Sequence, residues 1–369
     1  MIEQISLTNF KCFKNTAIFP ASRINLLYGM NGRGKSTLLQ ALLLFAQSVS
    51  GKNGITKLQL KGDLTNLGTF ADVKNHYTPA PHFYINIKDG GELLESSYGQ
   101  DENPTLASLT DLKVNGTSYF NENSTADSAE SKKTIGVIDK SSIRMLNTFE
   151  HIRYVSADRI GPREFMERRP IDNNLLGVRG ENSFQVMETH GEDFQKQVRT
   201  FLDKVLGGAS VRMETSSDRS IIQLYLDSVN DSEGFKPINV GFGYSYVLPV
   251  ILALLLADDG DVLIVENPEA HLHPAAQSRM AALMVEYAKK KNLQLFVETH
   301  SDHVINGLRI AVKSKTIDRH DVSILHFDRG NETTESPSFE HIKVDIRGNL
   351  SILPEDFLDE WTKQLLQLV

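Results

Sequence analysis

The stretch Gly29-Met-Asn-Gly-Arg-Gly-Lys35-Ser36 constrains this chain more than any other. It is a complete G-x4-G-K-S loop, followed by Thr37, and its flanks have the character such a loop needs. Arg23 to Tyr28 (RINLLY) is short and mostly apolar and reads as a buried strand. Leu38 to Phe45 is apolar nearly all round and reads as a buried helix. Strand, glycine loop and helix in that order form a phosphate cradle. Glycines let the backbone wrap a triphosphate with successive N–H groups pointing inward. A helix beginning near Lys35 adds the positive end of its dipole. On this reading Gly29, Asn31, Gly32, Gly34, Lys35, Ser36 and Thr37 bind ATP. Lys35 reaches the β- and γ-phosphates, and the Ser36 hydroxyl holds Mg²⁺.

A chain of 369 residues suggests two domains or one large bilobed one. Its net charge of −8 excludes a surface that is basic throughout, but leaves room for a local basic patch. The single Cys12 excludes an intrachain disulfide framework and a multi-cysteine zinc site. A reducing, cytoplasmic setting is the default expectation. The most apolar stretch, Val247 to Ala257, contains Pro249 and falls short of the about 20 residues that span a membrane. It reads as a buried core helix, with no membrane partner expected. The opening MIEQISLTNFKCF alternates from the start and lacks the basic-then-apolar block of a signal peptide. Asn115-Gly-Thr and Asn123-Ser-Thr match the glycosylation pattern only by chance on this reading.

Ile2 to Phe10 reads as a strand with Ile5 and Leu7 on one face. Phe83 to Ile87 alternates as a strand. Gly99 to Lys133 is rich in Asn, Ser, Thr, Asp and Glu and reads as antiparallel hairpins with a long, mobile polar loop. From His151 on, strands and helices alternate. Strands are expected at 151–156, 221–226, 261–265, 293–298 and 322–327. Helices are expected at 191–206, 247–256 and 275–289. The first of these helices carries an apolar stripe of Phe194, Val198, Phe201, Leu202 and Val205. This alternation predicts a mostly parallel α/β sheet. No internal repeat and no heptad run is visible.

A second acidic signal follows. Val262-Leu-Ile-Val265 runs into Glu266-Asn267-Pro268-Glu269, the pattern in which an acid at a strand end binds the metal or its waters. Then come Ala270-His271-Leu272-His273-Pro274 and, after a helix and a strand, Thr299-His300-Ser301-Asp302-His303. His300, at the end of a strand next to that acid, is placed to sense a γ-phosphate. The imidazole pairs His271-x-His273 and His300-x-x-His303 also have spacings that suit zinc, a competing reading. Asn267, beside Glu266, is an amide and cannot take a proton as general base. Either Glu269, the nearest remaining carboxylate, does this job or hydrolysis is slow.

With these residues on the page, the chain resembles the ABC-type ATPase heads of the SMC, RecF and RecN kind. The opening strand with Asn9-Phe10-Lys11-Cys12-Phe13 and the loop Gly29 to Thr37 carry that likeness. Tyr154-Val-Ser-Ala-Asp-Arg159-Ile-Gly-Pro162-Arg163, Gly241-Phe-Gly243-Tyr-Ser245, ENPEAHLHP, THSDH and the tail Gly348 to Asp359 narrow it. Together they resemble prokaryotic AAA/OLD-like ATPases with a C-terminal segment of unknown function. The resemblance implies an α/β, bilobed ABC-type P-loop ATPase head with a mixed sheet lobe and a helical lobe. The ATPase domain would span 1–310, with a polar hairpin insertion at about 90–150. A family-specific segment, 311–369, would pack on it.

The resemblance further implies a homodimer around two ATPs. Lys35 and Ser36 of one subunit would face Gly241, Gly243 and Ser245 of the other, although the usual L-S-G-G-Q is absent. Glu266, Glu269 and His300 are the catalytic candidates; Ser36 and Glu266 are the metal ligands. Many relatives serve DNA repair, plasmid maintenance or anti-phage defence. The expected role is therefore an ATP-hydrolysing switch that gates a partner effector, such as a nuclease or other toxin. Contact with nucleic acid would be indirect. A nucleotide-gated scaffold with little turnover is the alternative. A self-contained nuclease fits less well, because the tail after His300 shows no acidic cluster. A transporter ATPase is argued against by the N-F-K-C-F opening. Arg159, Arg163, Arg168 and Arg169 form a basic cluster that could grip phosphates. For Arg159 and Arg163 a structural or nucleotide-proximal role is expected.

Overall fold

The computed structural model describes residues 1–49, 54–121, 143–170, 175–227, 234–328, 337–354, 357 and 360–368. The first part of the chain forms β1 (Ile2–Thr8), β2 (Ala17–Pro20), β3 (Ile24–Gly29), α1 (Lys35–Val49), β4 (Lys57–Gln59) and α2 (Phe70–Val73). There follow β5 (Phe83–Asp89), β6 (Glu92–Gln100), β7 (Leu106–Val114), β8 (Thr117–Asn121) and α3 (Met145–Glu150). The middle gives β9 (Ile152–Val155), β10 (Phe165–Glu167), α4 (Ser183–Thr189), α5 (Gly191–Leu206), β11 (Ser210–Thr215), β12 (Ile221–Asp227) and α6 (Phe242–Leu256). The last part gives β13 (Val262–Glu266), α7 (Pro274–Lys290), β14 (Gln294–Glu298), α8 (Asp302–Lys313), β15 (Val322–Asp328), β16 (Ser338–Ile342) and α9 (Glu360–Gln367).

The chain divides into two compact units. One comprises Met1–Ile152, Gly260–Val262 and His320–Lys343; the other comprises Arg153–Asp259, Leu263–Arg319 and Val344–Val369. In the first, an antiparallel sheet runs in the order β2-β1-β5-β6-β7-β4, with β8 paired to β7. β5 shows the reason for its register. Phe83, Ile85 and Ile87 are buried while Tyr84 and, after them, Lys88 face out, the period-two pattern of a half-buried strand. The hairpins expected after Gly99 are therefore present as β7 and β8. The rest of the polar stretch, from residue 122, lies outside the described residues, as does Asn123.

α1 packs against β3, β4 and α3. It is buried on nearly every face, as its all-round apolar sequence requires. Phe45 on α1 meets Phe149 of α3 at 5.4 Å between ring centroids and Tyr98 of β6 at 6.2 Å, which ties the helix to the antiparallel sheet. β15 pairs in parallel with β3 from Val322↔Ile24 to Phe327↔Gly29, and antiparallel with β16. β3, the strand that delivers the glycine loop, is thus held along its whole length.

In the second unit, α5 spans Gly191–Leu206, the expected range, and buries Val198, Phe201, Leu202 and Val205; Phe194 is half-buried against His190. α6 is buried from Val247 to Leu256. Pro249 lies inside it, so the Ser245 carbonyl lacks its helical N–H donor. Gly180 makes room for that ring, because a Cβ there would come within 2.4 Å of Pro249. β14, β13 and β9 lie side by side in that order.

One expectation is corrected here. The strand at 221–226 is no member of a parallel alternation. β12 lies between β10 and β11, antiparallel to both. An apolar-alternating run fixes which residues face inward, but not which strand lies alongside or in which direction. A second revision concerns α6, which starts at Phe242 rather than Val247.

Candidate nucleotide site

The glycine loop is built by close approach. Gly29 has φ 124°, and a Cβ there would lie 2.1 Å from the Phe327 carbonyl oxygen of β15. Gly34 has φ 104°, and its Cβ would lie 2.5 Å from the Phe13 ring. Both positions require glycine on conformational and steric grounds. Gly32 also has positive φ, yet nothing lies within 4 Å of where its Cβ would be. That side of the loop is open, and Asn31 and Gly32 are exposed.

Lys35 is 3% exposed, and its ammonium donates to the carbonyls of Gly29 and Met30, each at 2.8 Å. Its charge is thereby held over the mouth of the loop. Ser36 is half-buried, Thr37 is buried, and α1 starts at Lys35 with no acidic residue in its first turn. No side-chain acid there competes for the positive helix end, so these groups fit the phosphates of a nucleotide.

The N-terminal motif explains itself at this loop. Asn9 and Lys11 adopt left-handed conformations, with φ 55° and 47°, and Phe10 and Phe13 exchange backbone hydrogen bonds across the turn. Asn9 holds the turn by donating from Nδ2 to the carbonyls of Ala80 and His82. The turn seats Phe13 and Cys12 beneath Gly34, and the Cys12 thiol donates to the Thr37 hydroxyl at 3.5 Å. Burial pushes that thiol up from its ordinary range.

The acid turn belongs to the second unit. Glu266 ends β13, and its Oε2 accepts the Ala157 N–H at 3.0 Å. Behind it sits Arg159, 2% exposed. Its guanidinium donates to the carbonyls of Ser156 (3.1 Å), Tyr246 (3.2 Å) and Asn267 (2.9 Å), and also to that of Glu266. Burial lowers its pKa to about 10, against the pull of Glu269 and Glu266. Arg159 is therefore a structural hub. Its charge is buried among backbone acceptors, where it is no grip for nucleic acid.

Tyr154 is shifted well above the usual phenol range by burial and then by Glu266. The segment Tyr154 to Arg159 is thus a brace for the end of β13.

After Glu266 the backbone turns sharply. Asn267 has φ 45° and His271 has φ 61°. The Asn267 N–H bonds the Glu298 carbonyl at 2.7 Å, joining this turn to the end of β14. Glu269 is 9% exposed, and its Oε1 accepts the His300 N–H at 2.8 Å. Burial raises its pKa. The side-chain oxygens Asn267 Oδ1 and Glu269 Oε2 are buried and without a hydrogen-bond partner. His300 itself is exposed.

The histidines find local explanations. The His273 Nδ1 accepts the Ala275 N–H at 3.3 Å and caps α7, with Pro274 next. His271 packs edge-on against Tyr246 (4.4 Å) and beside Phe242 (5.5 Å). The Gly241-Phe-Gly243-Tyr-Ser245 motif is the start of α6. Gly241 is its cap residue, and Gly243 and Ser245 lie in its first turns. A Cβ at Gly243 would come within 2.9 Å of the His271 carbonyl. Gly241 and Phe242 are exposed, the latter by 54%.

Two site features escaped the sequence reading. One is α8, capped by Ser301, whose hydroxyl accepts the N–H groups of His303 and Val304. Ser-Asp followed by Val304, Ile305, Leu308, Ala311 and Val312 was its available signal. The other is the set of acceptors that makes Arg159 a hub, a structural role for it being expected from the sequence. Of the remaining arginines, Arg168 pairs with Glu188 at the surface, and Arg163 and Arg169 line a cleft of about 440 Å³ with Phe165, Met166 and Gln185. Among the described residues no helix is long and apolar enough to cross a membrane.

Comparison with known proteins gives a consistent result. Residues 24–306 match the family described as "AAA domain, putative AbiEii toxin, Type IV TA system", and residues 317–368 match a protein of unknown function, DUF3696. A stretch of 75 residues is 27% identical to the DNA replication and repair protein RecF of Shewanella denitrificans, covering 20% of this chain and 21% of that protein. A stretch of 41 residues is 51% identical to RecF of Chlorobium limicola, covering 11% of each. The chain thus spans a small part of these curated relatives.

Among solved structures, an SMC head bound to the C-winged helix domain of ScpA aligns with a TM-score of 0.54 at 15% identity, over 93% of this chain and 98% of that one. The Smc head of Pyrococcus furiosus, with an extended coiled coil and bound to the C-terminal domain of ScpA, aligns with a TM-score of 0.53 at 13% identity, over 100% and 99%. At such identities the likeness is one of fold. The chain belongs to the AAA-domain family that matches residues 24–306, and its fold is that of ABC-type P-loop ATPase heads.

Proposed function

We propose that this protein binds ATP with Mg²⁺, hydrolyses it slowly, and works as a dimeric switch that gates a partner effector in a DNA-linked system of defence or repair. The observation that carries the reading is the glycine loop. Gly29 and Gly34 are demanded by close contacts, Lys35 is held at the loop mouth, and the first turn of α1 bears no acid. Lys35 is the group for the β- and γ-phosphates. Ser36 and Glu266 are the metal ligands. Mg²⁺ would neutralise phosphate charge and polarise the transferred group. Asn267 Oδ1 is a buried amide oxygen, so it supplies no base. His300 is the candidate sensor of the γ-phosphate.

Gly241, Gly243 and Ser245, at the start of α6, are the residues for the nucleotide of a second protomer. The exposed N-terminal end of that helix supports this role. A dimer built this way is isologous and holds two nucleotides. The defence or repair setting is supported by the family description, which names a toxin system, and by the RecF relatives, whose names refer to DNA replication and repair. ATP can gate a partner only if that partner binds the open and closed dimers differently.

Asn267 favours a second reading, a nucleotide-gated scaffold with little turnover. Steady-state hydrolysis by the wild type, set against Lys35→Ala, separates the two. Turnover above the variant supports the switch. Tight ATP binding without turnover supports the scaffold. Absence of Mg²⁺-dependent ATP binding would contradict both.

A further inference from the structure

We infer that Glu269 is a positioning residue, which fixes the backbone of His300 through a side-chain hydrogen bond and leaves water activation to another group. The inference rests on the hydrolytic reading above and settles a role that the sequence left open.

Two ties join the end of β13 to the end of β14. The first runs from the Asn267 N–H to the Glu298 carbonyl at 2.7 Å and uses backbone atoms alone. The second runs from the His300 N–H to Glu269 Oε1 at 2.8 Å, and it needs a side chain of this length with an acceptor oxygen. The turn is also gripped from behind, because Arg159 donates to the carbonyls of Glu266 and Asn267. Glu269 thus extends a rigid block onto the residue that carries the exposed imidazole.

A general base must present a lone pair to a water at hydrogen-bond distance. Here Oε1 is taken by the His300 N–H, and Oε2 is shut away from solvent. The residue as a whole is 9% exposed. The carboxyl also sits where burial favours its neutral form, so an uncharged isostere suits the same pocket. Glutamine keeps the Oε1 acceptor and has no basic oxygen. Alanine keeps neither. The two substitutions therefore separate positioning from proton transfer.

The test measures steady-state ATP hydrolysis and ATP affinity on the full chain as wild type, Glu269→Gln, Glu269→Ala and His300→Ala. Amide hydrogen exchange at His300 is followed in the nucleotide-free proteins. Glu269→Gln should keep kcat within about threefold of wild type. Glu269→Ala should lose about tenfold or more and fall to the level of His300→Ala, with ATP affinity little changed in the two Glu269 variants. Exchange at His300 should stay slow in Glu269→Gln and become fast in Glu269→Ala. If Glu269→Gln binds ATP and protects His300 yet loses turnover as completely as Glu269→Ala, the residue is the base and the inference is wrong. Equal exchange in all variants would overturn it as well. A wild type that binds ATP without turnover counts against the hydrolytic reading alone, and the exchange result then decides the positioning role.

Discussion

The glycine loop and the acid turn are built in opposite ways. The loop is held by sterics. Its key cation, Lys35, rests on two carbonyls of the loop itself, bonds that a phosphate can replace. The acid turn is over-braced. Arg159 alone serves four carbonyls, from Ser156, Tyr246, Glu266 and Asn267. Two further bonds tie the turn to the end of β14. The loop is arranged to exchange partners, whereas the turn is arranged to keep them. Catalysis by preorganised groups needs the second kind of construction wherever charge must not relax.

The largest effect expected from this contrast is at Arg159. Arg159→Met keeps much of the volume and removes every donor, leaving buried carbonyls unserved. It should lower the unfolding free energy by at least about 3 kcal/mol, read by chemical denaturation. A loss under about 1 kcal/mol would mean that the turn is not held from behind.

Next comes Lys35→Ala, which should weaken ATP·Mg²⁺ binding by about a hundredfold, the worth of one or two charge-assisted bonds. Unchanged affinity by calorimetry would remove the phosphate-loop assignment.

A contrasting pair of substitutions sharpens the steric side. Gly29→Ala places a methyl against the Phe327 carbonyl and should cost several kcal/mol. Gly32→Ala meets open space and should cost only about 1 kcal/mol, the strain of positive φ. Equal costs would show that conformation, not contact, dictates the loop.

The smallest effect is a pH dependence. Burial holds the His326 and His341 rings below their ordinary range. The folded state then binds fewer protons than the unfolded state as pH falls below about 6.5. Stability should decline through that window, and His341→Gln should flatten the decline.

The sequence carried the glycine loop, α1, α5 and the acid turn well, because each depends on neighbours a few residues apart. Glycine spacing, all-round apolarity and an apolar strand ending in Glu266 are local facts. The Arg159 hub was not legible as such. Its acceptors come from residues 156, 246, 266 and 267, and nothing near Arg159 in the chain names them. The same holds for the bond between Glu269 and His300, and for the antiparallel partners of β12. Side-chain alternation predicts a face, but pairing is decided by the rest of the fold. α8 was legible from its Ser301 cap and apolar stripe, but the histidines beside it drew attention to chemistry instead.

The central claim is that nucleotide closes a dimer in which each ATP is shared. A structure with ATP and Mg²⁺ bound tests it most directly, by showing which residues touch each nucleotide. The account predicts Lys35 and Ser36 of one protomer on the phosphates, with Gly241, Gly243 and Ser245 of its partner completing the shell. An ATP held entirely by one protomer, with the start of α6 in both protomers facing solvent, would contradict it.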